Sequence, residues 1–232
     1  MDQRLERLNL LFTPDGIDKL TNAKVAVIGL GGVGGPALEC LVRSGIIKFL
    51  LIDSDIVQLS NLNRQTLYDS TDIGSKKVAA AKKRIQAINP RLEIATSDVP
   101  IEMESISILD DYQPDYVIDA IDNITGKCAL IKWSIQHHVP FVSSLGMGNR
   151  IKPELIGITT LMHTEYDPLA KALRTALRKQ SIDIAQVPVV FSSEIPIRKQ
   201  TPVGSYMAVT ASAGLLLAHY IVATILERQD LL

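Results

Sequence analysis

The segment that most constrains this chain is Gly29-Leu30-Gly31-Gly32-Val33-Gly34-Gly35. It follows the apolar run Val25-Ala26-Val27-Ile28 and leads into Pro36-Ala37-Leu38-Glu39-Cys40-Leu41-Val42. That order reads as a buried strand, a tight turn and a helix. Gly29, Gly31 and Gly34 match G-x-G-x-x-G, with Gly32 at one of its variable positions, in the strand–turn–helix context the motif needs. Residues without a Cβ let the backbone come close to a phosphate, and the free N–H groups at the helix start attract its charge. The turn commits the chain to a nucleotide-binding fold. By itself it does not choose between a dinucleotide and ATP.

The polar residues downstream make that choice. Asp53-Ser54-Asp55 ends the next apolar run, and Asp53 lies at the interval from Gly34 expected of a ribose-binding acid. Ser60-Asn61-Leu62-Asn63-Arg64-Gln65 follows, then Lys76-Lys77 at a helix start and Asp122-Asn123 after a later strand. Arg64 supplies a planar fork for phosphate oxygens and Lys77 a point charge. Lys76 competes with Lys77, and spacing alone does not separate them. Asn61, Asn63 and Gln65 are candidates for orienting the nucleotide. Asp55 fits either the site or a cap of the following turn. Asp122 is placed to hold Mg²⁺ against the phosphates, while Asp119 reads as a buried strand-end residue. Asn123 belongs to the same edge, where Asp122-Asn123-Ile124-Thr125 also reads as a helix N-cap. A hydride-transfer enzyme does not need this cationic and acidic set beside its phosphates, whereas an enzyme that splits ATP does.

Strand and helix patterns alternate through the first two-thirds. Strands are expected at 24–28, 49–53, 92–96, 116–120 and 140–144, and helices at 33–44, 76–89, 105–111 and 125–137. Continuous apolar strands alternating with helices imply a mostly parallel, Rossmann-like α/β sheet covered by helices on both faces. The rhythm changes after Gly146. Strands at 156–161 and 188–192 flank a helix at 168–180, and a last helix spans 205–228. The expected organisation is one domain over 1–232, with a nucleotide-binding core over 1–149. Residues 150–232 extend the same sheet with antiparallel strands. The glycine turn, 53–64, 122–123 and 143–149 all follow carboxyl ends of expected parallel strands, which line the ligand crevice of such sheets.

Composition removes other classes. The 232 residues carry 24 Lys+Arg and 25 Asp+Glu, a net charge of −1, so an RNA site must be a local basic patch. The two cysteines, Cys40 and Cys128, form no C-x-x-C, which argues against a disulfide framework or structural zinc and for a cytoplasmic chain. Residues 206–226 carry no Asp, Glu, Lys or Arg and are long enough to span a bilayer. Thr210, Ser212, Gly214, His219 and Thr224 interrupt the run. It therefore reads as a buried or interface helix, with peripheral membrane contact as the alternative. The local basic patch is Lys171, Arg174 and Arg178, which recur at i, i+3 and i+7 on one helix face. Read sharply it contacts an RNA backbone, and read blandly it is a solvated face. Lys82, Lys83, Arg198 and Lys199 are the next candidates.

Together these motifs resemble the ubiquitin-activating enzyme superfamily, which includes the bacterial activators of sulfur-carrier proteins. The likeness rests on Arg4-x-x-Arg7, the glycine turn, D-x-D-x-V-x-x-S-N-L-N-R-Q over 53–65, the Lys-Val helix start, Asn89-Pro90 and D-x-x-D-N over 119–123. It implies that Gly32, Asp53, Asn61, Arg64, Lys77 and Asp122 bind ATP and Mg²⁺. It also implies that Arg7 reaches the ATP of the other subunit in a homodimer. Over 143–149, 167–170, 189–194 and 204–205 the chain looks like the tRNA threonylcarbamoyladenosine dehydratases. Their substrate is a modified adenosine beside the tRNA anticodon. This resemblance leaves a sulfur-transfer protein open as a further partner.

The implied chemistry is adenylation of a carboxylate, then attack by a tethered nucleophile that closes a ring and expels AMP. The loop 143–149 contains no cysteine, and a tethered nucleophile needs no enzyme thiol. The rival classes are an activator of a ubiquitin-like or sulfur-carrier protein, an NAD-dependent oxidoreductase, and a nucleotide-binding scaffold.

Overall fold

The structure, a computed structural model, describes residues 2–197 and 202–231. Arg198 and Lys199 lie outside the described residues. Seven strands form one sheet in the order β3-β2-β1-β4-β5-β7-β6. They are β1 (Lys24–Ile28), β2 (Lys48–Ile52), β3 (Glu93–Ser97), β4 (Tyr116–Asp119), β5 (Phe141–Ser144), β6 (Ile156–Thr160) and β7 (Pro188–Ser192). Among the described residues, neighbouring strands all pair in parallel except β6 and β7, which pair antiparallel. The expected α/β class is therefore found. The C-terminal extension joins the core through β7, which lies parallel to β5, and reverses only at the edge strand β6.

The helices are α1 (Glu6–Asn22), α2 (Gly34–Arg43), α3 (Lys77–Ile88), α4 (Ser107–Tyr112), α5 (Ile124–Gln136), α6 (Pro168–Lys179) and α7 (Met207–Ile225). Successive strand side chains point to opposite faces, so each buried strand serves two cores. Val25, Val27, Phe49 and Leu51 join Leu20, Leu38, Leu41, Ile85 and Leu217 on one face. Ala26, Ile28, Leu50 and Ile52 join Leu109, Leu130, Ile131, Leu173 and Leu177 on the other. This double burial explains why the central strands read as unbroken apolar runs.

The sequence pattern assigns no helix before β1, yet α1 occupies that stretch. It is kinked at Thr13 (φ 61°), immediately before Pro14, and buries only Gly16 and Leu20. The kink and thin apolar seam erase the usual helical periodicity.

The apolar α7 packs against α2 and the sheet. Its Val209, Ala213, Leu217, Ile221 and Val222 are buried, as is most of the helix. A Cβ at Gly214 would stand 2.2 Å from the Val33 carbonyl oxygen, so α7 crosses the first turn of α2 at near backbone contact. Its hydrophobicity therefore belongs to the core. Gly214→Ala is expected to destabilise the fold by about 1–3 kcal/mol through overpacking at this crossing. Urea unfolding that shows an unchanged midpoint would mean the helices separate freely.

Candidate functional site

A cleft of about 730 Å³ opens at the carboxyl ends of β1, β2, β4 and β5. The first of its walls is the glycine turn, whose glycines have two different duties. Gly29 has φ +89°, and a Cβ there would lie 2.7 Å from the Ala120 carbonyl oxygen. A Cβ at Gly34 would fall 1.8 Å from the Gly29 carbonyl oxygen. These two glycines let the turn close on itself. A Cβ at Gly31 would meet nothing nearer than the Gln65 side chain at 3.7 Å, so its backbone stays open to the cleft. Gly32 faces Thr210 of α7 and Arg64.

The Leu30 peptide between them is pinned from both sides. Its N–H donates to Asp53 Oδ2 at 2.7 Å, and its carbonyl accepts from the Tyr68 hydroxyl at 2.9 Å. Burial, then the charges of Asp53, Asp72 and Asp55, hold the Tyr68 phenol above its ordinary pKa, so it stays a donor. Sequence reading passed over Tyr68 because a tyrosine four residues after an arginine carries no motif.

Asp53 Oδ1 also accepts from the Asp55 N–H at 2.9 Å. The Lys77 ammonium lies 2.7 Å from Asp55 Oδ2 and 3.8 Å from Asp53 Oδ2, and Lys77 is buried. Lys76 points away, is exposed, and pairs with Asp98. The rivalry between the two lysines is thus resolved by position: the first residue of α3 faces the cleft, and the residue before it does not. Arg64 Nη1 donates to the Ser60 carbonyl and to Asn63 Oδ1, both at 2.8 Å, which leaves its remaining donors for the cleft. Asn61 is buried, and its Oδ1 accepts from the Gln58 N–H at 3.0 Å. Gln65 is buried at the cleft wall, and its Oε1 has no partner among the described residues. A buried carbonyl oxygen without a donor is costly and suits a ligand that supplies one.

Asp122 is exposed at the rim and makes no ion pair among the described residues. Asn123 caps α5, its Oδ1 accepting from the Gly126 N–H at 3.0 Å. Gly29, Gly31, Gly32, Asp53, Asp55, Asn61, Arg64, Gln65, Lys77, Asp122 and Asn123 thus share one cleft. Gly34 and Asn63 do not line it. Gly34 is inside the turn, and Asn63 Nδ2 donates to the Ser205 carbonyl at 3.1 Å. Arg7 is exposed on α1, outside the cleft of its own chain.

The far wall is the loop Leu145–Gly148, held by a buried carboxylate. Asp167 Oδ2 accepts from the Gly146 N–H at 2.9 Å, while its Oδ1 caps α6 through the Leu169 and Ala170 N–H groups. Arg150, 2% exposed, approaches Asp167 at 3.5 Å, and its Nε donates to the Glu194 carbonyl. Burial lowers the pKa of the Arg150 guanidinium, while Asp167 and Glu194 oppose that shift. On α6 the basic stripe divides. Lys171 and Arg178 are exposed, but Arg174 is half-buried and donates to the Thr164 carbonyl at 2.9 Å. Arg174 thereby braces the turn before α6, and the exposed stripe consists of Lys171 and Arg178.

Below the cleft floor lies Lys127, 0% exposed. Its ammonium donates to Asp119 Oδ2 (3.0 Å), Ser143 Oγ (3.0 Å) and the Ser144 carbonyl (2.6 Å). It ties the ends of β4 and β5 together. Sequence reading missed it because Thr125-Gly126-Lys127-Cys128 looks like an ordinary helix turn. Removing one member of a buried pair leaves an uncompensated charge, so Lys127→Met is expected to cost about 3–5 kcal/mol. Guanidinium unfolding should also show partial recovery when Asp119→Asn is added. Equal stability of Lys127→Met and the parent would remove this tie from the account.

The chain belongs to the ThiF family, whose sequence pattern matches residues 4–231. A tRNA threonylcarbamoyladenosine dehydratase of Bacillus subtilis is 36% identical over 245 residues, spanning 98% of this chain and 96% of its own length. The solved structure of E. coli tRNA N6-threonylcarbamoyladenosine dehydratase in complex with ATP superposes with a TM-score of 0.92. It is 31% identical and covers 98% of this chain and 96% of that one. A sulfur carrier protein adenylyltransferase of Thermus thermophilus is 40% identical, but over 111 residues that make up 47% of this chain.

Proposed function

We propose that this protein uses ATP to dehydrate and cyclise the threonylcarbamoyl group of threonylcarbamoyladenosine in tRNA. The observation that carries the reading is a likeness to dehydratases along the whole chain, including residues 150–231, joined to a cleft suited to a triphosphate. The likeness to the carrier-protein activator covers only 47% of this chain. The NAD reading does not account for Lys77 and Arg64 converging beside the open Gly31 backbone.

The chemistry follows from charge. A carboxylate and a triphosphate repel one another. In this reading Lys77, Arg64 and the N–H groups of the glycine turn offset that repulsion and stabilise charge growing on the leaving pyrophosphate. The substrate carboxylate oxygen bonds to the α-phosphorus as the bond to pyrophosphate breaks, giving an acyl adenylate. A nucleophile of the same substituent then attacks the acyl carbon, loses its proton to solvent, closes the ring and releases AMP. The tether supplies high effective molarity. Burial raises the pKa of both Cys40 and Cys128, so neither is primed as a thiolate. Asp122, an exposed carboxylate at the rim, suits Mg²⁺, which typically takes one or two carboxylates plus substrate phosphates. Bound there, the ion would neutralise phosphate charge. Asp53 and Gln65 are assigned to the nucleoside side, with Asp55 steering Lys77. Lys171 and Arg178 are assigned to the RNA backbone.

Lys77→Ala or Arg64→Ala is expected to lower adenylation by about a hundredfold or more. Pyrophosphate exchange driven by modified tRNA measures it directly, and near-parental exchange in both variants would overturn the assignment. A carrier protein with a Gly-Gly tail that replaces the tRNA in this assay would favour the activator class.

The proposal extends to assembly as a C₂ homodimer in which each Arg7 enters the partner's cleft. Its support is that Arg7 stands exposed outside its own cleft, beside the exposed Leu10 and Leu11. Mixing Arg7→Ala with Lys77→Ala chains is expected to restore one working site per mixed dimer. Activity no higher than either parent after verified mixing would rule out a contribution in trans.

A further inference from the structure

Among the described non-glycine residues with positive φ, Tyr166 carries the largest side chain. Its side chain belongs to a residue 54% exposed, and its backbone has φ +54°. A bulky residue in the left-handed region is a conformational outlier and persists only where its surroundings fix it. Here the fixing group is the next residue. Asp167 is buried and bonds the N–H groups of Gly146, Leu169 and Ala170, with Arg150 beside it. On the other side Arg174 donates to the Thr164 carbonyl. The chain is held two residues before and immediately after Tyr166, and the side chain is left exposed.

The place of that ring is specific. Gly146 and Leu169 both line the nucleotide cleft, and Tyr166 directly precedes Asp167, the N-cap that ties Gly146 to the start of α6, with Lys171 and Arg178 exposed further along that helix. An RNA strand running from the basic stripe to the cleft passes this point. Proteins that read unpaired RNA commonly stack bases on exposed aromatic rings. Resting on the RNA reading above, we infer that Tyr166 is a stacking platform for the unpaired base next to the modified adenosine. Its role is to set the angle at which the threonylcarbamoyl group enters the cleft. The carboxylate must reach the α-phosphorus in line, so a base held on Tyr166 fixes the last rotation of the strand.

The test uses an anticodon stem-loop containing threonylcarbamoyladenosine, with 2-aminopurine at each neighbouring position in turn. Stacking quenches that fluorophore. The parent protein and Tyr166→Phe are expected to quench one of the two positions and to bind alike. Tyr166→Ala is expected to lose the quench and bind the stem-loop about tenfold more weakly. Its salt dependence should be unchanged, because no phosphate contact is lost. Lys171→Glu with Arg178→Glu should instead flatten the salt dependence. ATP affinity, measured by calorimetry, should be the same for Tyr166→Ala and the parent, which also shows that the variant is folded. Parental quenching and affinity in Tyr166→Ala would overturn the stacking role while leaving the RNA reading intact. Failure of the parent itself to bind the stem-loop would overturn the RNA reading, and this inference with it.

Discussion

The closure of the glycine turn is the constraint on which the rest of the cleft depends. Backbone passes so near backbone at Gly29 and Gly34 that a methyl group at either position would overlap a carbonyl. Only with the turn closed does the Leu30 peptide come between Asp53 and Tyr68. Asp53 then stands where it can share Lys77 with Asp55, and the first turn of α2 lies where α7 can cross it. The phosphate-binding surface is thus the outer face of an arrangement whose inner face is backbone packing. Its polar residues answer to both, which is why so many of their hydrogen bonds are already engaged.

Legibility in the sequence tracked the range of the interactions involved. Each central strand announces itself, because double burial demands an unbroken apolar run. The glycine turn does so because positive φ and close approach admit only one residue type. The positions after strand ends could be assigned to one crevice by topology alone, and Asp53, Arg64, Lys77 and Asp122 do meet there. What escaped were contacts between segments distant in sequence. Tyr68 holds the turn 38 residues upstream. Lys127 bridges β4 and β5 from within a helix that carries no signature of a buried charge. Arg174 sits at the right interval for a basic stripe, yet it is occupied by the Thr164 turn, since helical spacing gives a direction and not a partner. The helix α1 escaped for a local reason: Thr13 and Pro14 break its periodicity.

Two buried carboxylates divide the task of shaping the cleft. Asp119, with Lys127 and Ser143, fixes the strand ends beneath it. Asp167, with Arg150, fixes the loop that faces the glycine turn and the start of α6 beside it. Buried ion pairs are poor sources of net stability, because desolvation offsets much of their attraction. Both stand directly beneath cleft-lining loops, where what they contribute is definition. Asp119 sets the strand ends and Asp167 sets Gly146, while Leu145 and Met147 anchor the same loop by packing.

The crossing of α7 over the glycine turn bears on how the protein comes into being. Thr210 of that helix forms part of the cleft wall beside Gly32, although most of the chain separates them in sequence. The helix α7 is synthesised late, and contacts between segments far apart in sequence must first meet the cost of closing the intervening loop. A nascent chain that has already folded its glycine turn therefore still lacks one side of its nucleotide site. Until α7 docks, the first turn of α2 and the Gly32 side of the cleft lack the residues that cover them. The nucleotide site is thus complete only once this long apolar helix has docked.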